Sequence, residues 1–325
     1  MIKQTEKISE IVSKQFAEES LNVFFGGDVF FVYSEKYVLP VRISRRGFFR
    51  YANFPSEPVV FHDGEESLRS FLDDACRFLN DNYKIQWIAE TPASALFEEA
   101  PSRSKSIPFG SHVINLEDDV EVLWGKVHSK HRNVIKKAEK EGVVVVKGQS
   151  DKILEDYHSI DVETWERSRK KANGVGHLKE MVSRMKDQVI VYIAYKDGEP
   201  QAGAVFFYNR AMCYYMYGAS KNHAFSGASN YLHWTAIQDM KSASVKRYSF
   251  VGCRINEDED SKYHGIQRFK ERFGGELLVG KRFKLIFKPA IYALYKLFVD
   301  VVMSVNERRI VRHRDTIDQE WHKWK

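Results

Sequence analysis

Three strand-like runs in quick succession constrain this chain more than any other feature. VIVYIAYKDG, EPQAGAVFFYN and RAMCYYMYGAS fill residues 189–220 almost without a break. The Asp197-Gly198 pair between the first two is the signature of a tight hairpin. Two helical patterns precede them, ILEDYHSIDVETWERS and HLKEMVSRMKD. After them come ASNYLHWTAIQDMKSA (helix), YSFVG (strand), GIQRFKERF (helix) and ELLVGKRFKLIF (one or two strands). With VVVVK as a buried strand at the front, the order is strand, two helices, three strands, helix, strand, helix, strand. That is a mixed α/β sheet and not a solenoid.

Upstream, the spacing predicts a helix over Ile2–Glu19, antiparallel strands in VFFVYSEKYVLPVRIS and FFRYANF, and a strand at IQWIAE. Pro40 is allowed there at an edge or bulge. SLRSFLDDACRFLNDN is an amphipathic helix with Leu68, Phe71, Leu72, Ala75 and Leu79 on one face. Thr91–Ser111, rich in Pro, Ser and Ala, reads as a linker. VINLE and the basic helix Val120–Glu141, closed by Gly142, open the second series. The expected organisation is therefore three parts: 1–110, 111–288, and a helical tail over 289–325.

The bulk composition, 43% hydrophobic and 29% charged over 325 residues, suits a globular protein with a full core. Three scattered cysteines exclude a disulfide framework and show no metal-ligand spacing, so a reducing, cytoplasmic setting is expected. The charged N-terminus is not a secretory signal, and no apolar run is long enough for a membrane span. The +6 net charge belongs to the end of the chain. Residues 281–325 carry eleven Lys and Arg against five Asp and Glu, while the rest balances at 39 of each. A basic tail suits an anionic membrane or a nucleic acid, or is a solvated helical end. In it, Ile291, Leu294, Tyr295, Phe298 and Val302 form an apolar face, with Lys296 and Asp300 paired on the other. That face either packs on its own protein or rests on a membrane interface.

No dinucleotide or Walker loop, GxSxG elbow, HExxH or CxxC is present, which narrows the chemistry to a reaction needing neither metal nor protein nucleophile. His128 and His131 lie among cations and read as surface residues. In GIQRFKERFGG, helical geometry sets Ile266, Phe269, Lys270 and Phe273 on one face. An inward lysine either snorkels along its stem or reaches a partner in a cleft. Alternation in MCYYMYGAS puts Tyr215 and Tyr217 on one face, and Gly218 signals a bulge or a close backbone approach. The cations of KVHSKHRNVIKKAEKEG suit a diphosphate, an RNA backbone or solvent. The acidic run INEDEDSKY would favour the positive end of the helix after it, or draw in an amine.

KHRNVIKKAEKEGVVVV, YYMYGAS and GIQRFKERFGGE together resemble the FemAB-type branch of the GNAT acyltransferase superfamily, over residues ~113–290. The resemblance implies tandem GNAT-like domains, the first degenerate, and direct transfer of an acyl or aminoacyl group to an amine. By position, Phe269 and Lys270 fall on the family's catalytic pair, and Tyr217 and Tyr215 fall near a substrate-contacting tyrosine. Arg132 and Asn133 fall in its basic motif helix as candidate substrate residues. The long coiled-coil arm of some members is missing. The pyrophosphate loop of acetyl-CoA enzymes is replaced by SKNHAFSGASN. With no bound cofactor or metal, the expected co-substrate is aminoacyl-tRNA or an acyl-CoA. The expected acceptor is an amine of a lipid-linked muropeptide or amino sugar, and tRNA and the inner face of the membrane are the expected partners. Two other readings stay open: an acyl-CoA-dependent N-acyltransferase for capsule or lipopolysaccharide sugars, and a non-catalytic RNA-binding protein.

Overall fold

The computed structural model describes residues 2–13, 28–168, 170–255, 261–307 and 315–324. In chain order these form β1 (Lys3–Thr5), β2 (Phe30–Tyr33), β3 (Tyr37–Arg46), β4 (Phe49–Asn53), β5 (Val59–Val60), α1 (Leu68–Tyr83), β6 (Trp87–Ile88), β7 (Lys105–Asn115), α2 (Val120–Lys126), α3 (Ser129–Lys140) and β8 (Val144–Gly148). Then come α4 (Asp151–Arg167), α5 (Val175–Met185), β9 (Val189–Lys196), β10 (Glu199–Tyr208), β11 (Met212–Ser220), α6 (Ala228–Ser242), β12 (Arg247–Ser249), β13 (Cys253–Arg254), α7 (Lys262–Glu271), β14 (Glu276–Ile286), α8 (Pro289–Glu307) and α9 (Thr316–Glu320). The acidic run before α7 lies mostly outside the described residues.

The chain divides into two compact units, both mixed α/β. Among the described residues, one holds those up to Gly110 and from Val279 onward, and the other runs from Ser111 to Leu278. The first unit therefore gathers the tail and most of β14, ahead of the 288/289 boundary expected from the sequence. Its strands run in the order β1-β2-β3-β4-β6-β14, with β5 beside β3. Helix α1 starts at Ser67, whose hydroxyl accepts from the Ser70 amide, and ends at Lys84 in the left-handed region. It buries Phe71, Leu72, Ala75, Cys76 and Leu79 against the sheet. Each large apolar side chain removed from water there contributes roughly 1.5–3 kcal/mol.

Two upstream expectations change. The helical spacing of Ile2–Glu19 is overridden where the structure describes it: Lys3–Thr5 pairs with Phe31–Tyr33 as a strand, and Ile8–Glu10 is a single 3-10 turn. Residues 14–19 lie outside the described residues. The stretch expected to be a linker is packed instead. Ala95, Phe97 and Ala100 are buried, Thr91 bonds the Phe283 backbone through both its amide and its hydroxyl, and β7 begins at Lys105. Pro40 pairs with Phe31 on one side only; β4 and β5 meet β3 on either side of it, so its missing N–H costs no ladder bond.

In the tail, Lys296 pairs with Asp318 at 2.7 Å and not with Asp300 as expected. Asp318 also holds Lys284 and Lys105, and the almost fully buried Lys284 reaches Asp315 as well. Desolvation pushes the Asp318 carboxyl up, but the three ammonium hydrogen bonds win and hold it well below the usual range.

The second unit is a sheet in the order β7-β12-β11-β10-β9-β8. The β9–β10 turn has φ +52° at Asp197 and +79° at Gly198, the left-handed pair that a two-residue hairpin demands. Helices α2, α3 and α6 cover one face over Tyr192, Phe206 and Tyr248. Helices α4 and α5 cover the other over Val191, Val205 and Phe207. The VVVVK run is the edge strand β8 and is mostly exposed, Val144 at 59%, because among the described residues it pairs with β9 alone. The single basic helix expected over Val120–Glu141 is two. Val127 turns extended between α2 and α3, and His128 caps α3 by accepting from the Lys130 amide.

Candidate active site

The segment GIQRFKERFGG builds its site from local geometry. Ser261 caps α7 by accepting from the His264 amide at 3.1 Å. Just past its end come Phe273, fully buried, and two glycines with little room beside them. Gly274 has φ +82°, and a Cβ there would stand 2.6 Å from the Lys126 carbonyl oxygen. At Gly275 a Cβ would lie 3.1 Å from the Val113 backbone. Only glycine lets the chain turn against the end of α2 and then run beside β7. The Arg272 carbonyl accepts from the His128 amide, so the break between α2 and α3 is held by the end of α7.

Lys270 is 8% exposed and does not snorkel. Its ammonium donates to the carbonyls of Val251 and, at 2.9 Å, Gly252. Both residues are left-handed, with φ +42° at Val251 and +72° at Gly252. A β-branched residue rarely adopts that conformation, and here it turns two carbonyl dipoles onto one buried lysine. Burial lowers the Lys270 pKa to about 8. An ammonium carries three donors, so two carbonyls leave one for a ligand.

That ligand space is a cavity of about 420 Å³ lined by Lys270, Phe269, Ile266, Tyr215 and His233, with Thr164 and Gly218 at its side. The His233 imidazole bonds Tyr248 Oη at 2.7 Å. Burial, with Lys270 and His131 adding, lowers its pKa to about 3, so it is neutral. Burial also pushes the Tyr215 phenol up to about 12, keeping it a neutral donor. The Tyr215 ring stands edge-on to His233 at 4.4 Å. Its hydroxyl crosses Gly218, where a Cβ would be 1.7 Å away.

Tyr215 and Tyr217 do not share a face. The β10–β11 register shifts between Val205 and Phe206, so Tyr217 opposes Val205 while Tyr215 opposes Phe206. This β-bulge turns Tyr215 toward α6 and Tyr217 toward α4. Tyr217 lines a second cavity, on the α4 side, which shares Thr164 and Gly218 with the wall of the first.

Arg132 and Asn133 line neither cavity. Arg132 donates to the carbonyls of Gly125 and Val127, satisfying the end of α2, and Asn133 is exposed. His131, expected at the surface, is buried. Its Nε2 bonds the Phe269 carbonyl at 3.0 Å and its ring packs on Phe269 and Phe273. Sequence reasoning misses His131, His233 and Thr164, and also Tyr157 and Asp161 of the second cavity. Only their place in three dimensions marks them.

Residues 125–271, which carry both cavities, match the model of the acetyltransferase (GNAT) domain. The match falls within the second unit, which is thus similar to a GNAT domain over most of its length. The chain resembles, more narrowly, the FemAB-type branch of that superfamily. It is 26% identical over 110 residues to a lipid II:glycine glycyltransferase of Staphylococcus haemolyticus (strain JCSC1435). That alignment covers 33% of this chain and 26% of the relative, so the chain matches about a quarter of that protein's length. The crystal structure of FemX superposes with a TM-score of 0.61 over 86% of this chain and 93% of FemX, at 13% identity. The C-terminal domain of a putative lysylphosphatidylglycerol synthetase from Agrobacterium fabrum does so at 0.55, over 86% and 89%, at 14% identity. These likenesses establish a shared fold.

Proposed function

We propose that the second unit transfers an acyl or aminoacyl group directly to an amine of a cell-envelope precursor, a lipid-linked muropeptide or an amino sugar. The observation that carries the reading is Lys270: a buried ammonium, held by two carbonyls, on the wall of a cavity. In such a transfer the amine attacks the donor carbonyl, and negative charge grows first on the carbonyl oxygen and then on the leaving oxygen. A cation fixed in a low-dielectric wall stabilises that charge without reorganising. Lys270 takes this role, the Phe269 ring lines the donor cavity, and Tyr215 and Tyr217 contact the substrates on either side of the bulge. The glycyltransferase relative supports an aminoacyl donor. So does the turn before α6, where Glu163 and Gln201 already accept from the Asn222 and Phe225 amides. Those amides are then not free for the diphosphate of an acyl-CoA, and aminoacyl-tRNA is the preferred donor.

The same reading places the protein in the cytoplasm, against the inner face of the membrane. No described helix is long and apolar enough to cross a membrane. Helix α8, however, turns an apolar stripe outward: Leu294, Leu297, Phe298, Val301 and Val305 are 40–71% exposed. Arg46 lies over the Phe298 ring, and the exposed Phe48 adjoins Phe49, which also packs on Phe298. An apolar stripe with an arginine at its edge fits an anionic lipid surface.

The test is to incubate the protein with charged tRNA and with acyl-CoA in separate reactions, each with a mixed extract of envelope precursors, and to identify products by mass spectrometry. An aminoacyl mass added to an amine of a precursor from the tRNA arm is the expected result. No transfer in either arm refutes the reading.

A further inference from the structure

The second cavity, of about 340 Å³, has a wall chemistry that the transfer reaction alone does not explain. Tyr157, Asp161 and Trp165 are spaced i, i+4, i+8 along α4 and face into it together, opposite Met181, Met216 and Tyr217. Tyr157 is 4% exposed, its ring fixed over Gly203, where a Cβ would come within 2.8 Å. Its hydroxyl has no hydrogen-bond partner among the described residues. A buried, unpaired hydroxyl costs ~1–3 kcal/mol, so one retained on a cavity wall points to a ligand that pairs with it. Asp161 brings a carboxylate to the same wall, with the Trp165 indole and His158 nearby; burial raises its pKa. Among the described residues no lysine or arginine lines the cavity.

A carboxylate, a free hydroxyl oxygen, two partly exposed aromatic faces and two thioethers suit one ligand chemistry. An ammonium group pairs with Asp161, donates to Tyr157 Oη and lies against the rings of Trp165 and Tyr217. Its methylene stem packs on Met181 and Met216. An anion is repelled by Asp161, and an uncharged alkyl chain leaves both polar groups unpaired. We propose that this cavity binds a primary alkylammonium group and is the subsite through which the acceptor amine reaches Lys270. Thr164 and Gly218 line both cavities, so an ammonium held at Asp161 sits next to the donor cavity and Tyr215. Assignment to the acceptor rests on the transferase reading; ammonium binding by Asp161 and Tyr157 does not.

The experiment uses the full chain and four five-carbon probes: n-pentylamine, 1,5-diaminopentane, pentanol and pentanoate. Binding is followed by calorimetry and by intrinsic fluorescence, with Trp165→Phe identifying the indole that responds. Both amines are expected to bind at least ~10-fold more tightly than the alcohol or the carboxylate. Asp161→Asn abolishes that preference. Tyr157→Phe weakens amine binding several-fold while leaving the melting temperature unchanged or higher, because the hydroxyl it removes has no partner in the free protein. Lys270→Met keeps amine binding. Equal binding of amine and alcohol, or amine binding indifferent to both Asp161→Asn and Tyr157→Phe, overturns the proposal. If amines bind as described while no donor is ever consumed, the ammonium site stands and the transferase reading falls.

Discussion

Replacing Lys270 by methionine isolates the energetics of the buried ammonium. The stem keeps its length and packing, and only the titrating, hydrogen-bonding head is lost. In the folded chain burial lowers this pKa from 10.5 to about 8. At roughly 1.4 kcal/mol per pH unit, that gap is a penalty of ~3 kcal/mol on the charged folded state. Below about pH 8 folded and unfolded chains both hold the proton, and the penalty is present in full. Between about 8 and 10.5 the unfolded chain holds a proton that the folded chain has released, so stability rises with pH. Above 10.5 neither holds it and the penalty is gone. Methionine removes the penalty at every pH but strands the Val251 and Gly252 carbonyls, at ~1–3 kcal/mol each. At pH 7.5 the two effects nearly offset each other. The wild type then gains on the variant by ~3 kcal/mol as the pH reaches 10.5. Urea unfolding of both proteins across that range reads the difference, and all other titrating groups cancel in it. Stability curves that stay parallel within ~1 kcal/mol would refute the argument that Lys270 is charged and desolvated.

Gly227 has φ +88°, and a Cβ there would meet the Val134 carbonyl oxygen at 2.4 Å. Gly227→Ala should therefore cost ~1–3 kcal/mol, seen as a lower thermal midpoint. Asp318→Asn weakens the anchor shared by Lys105, Lys284 and Lys296, with an expected loss of ~2–3 kcal/mol at neutral pH. Because the folded pKa of Asp318 is depressed, its contribution is full above the unfolded carboxylate value, ~4, and the wild type loses it as pH falls below that. Leu297→Asp and Val301→Asp, on the exposed stripe of α8, should reduce co-sedimentation with phosphatidylglycerol vesicles while leaving the thermal midpoint within ~1 °C. Equal sedimentation of both variants and the wild type would exclude α8 as the membrane contact.

Much of the second unit is legible in the sequence because its signals are local. The Asp197-Gly198 turn needs two left-handed residues, and the apolar periods on either side are long. The inward position of Lys270 is legible too, since helical spacing sets it beside Phe269 and Phe273, although Ile266 on the same stripe is 42% exposed. The groups that hold its head are not. Val251 and Gly252 lie outside α7, and their backbone conformation has no sequence signature. The bulge escapes because period-2 alternation assumes that every residue of β11 has a partner; one extra residue reverses the face of everything beyond it. The basic helix reads as continuous because Val127 fits the apolar stripe. Val127 is indeed buried, but as the extended residue between α2 and α3, with His128 capping α3. VVVVK looks like a core strand because composition does not distinguish an edge from a centre. Tyr157 and Asp161 give no signal at all. Each is ordinary on a helix, and only the cavity they share makes them a pair.

The central claim is that the Lys270 ammonium stabilises charge developing on the acyl donor. Single-turnover transfer from the donor identified by product mass tests it most directly, with wild type compared with Lys270→Met and Lys270→Arg at saturating acceptor. The expected result is a loss of at least ~100-fold in the rate for Met, with partial recovery for Arg, since Arg keeps the charge but not the shape. The wild-type rate should fall as pH rises through about 8, where Lys270 gives up its proton. A Lys270→Met protein that transfers at the wild-type rate would contradict the claim.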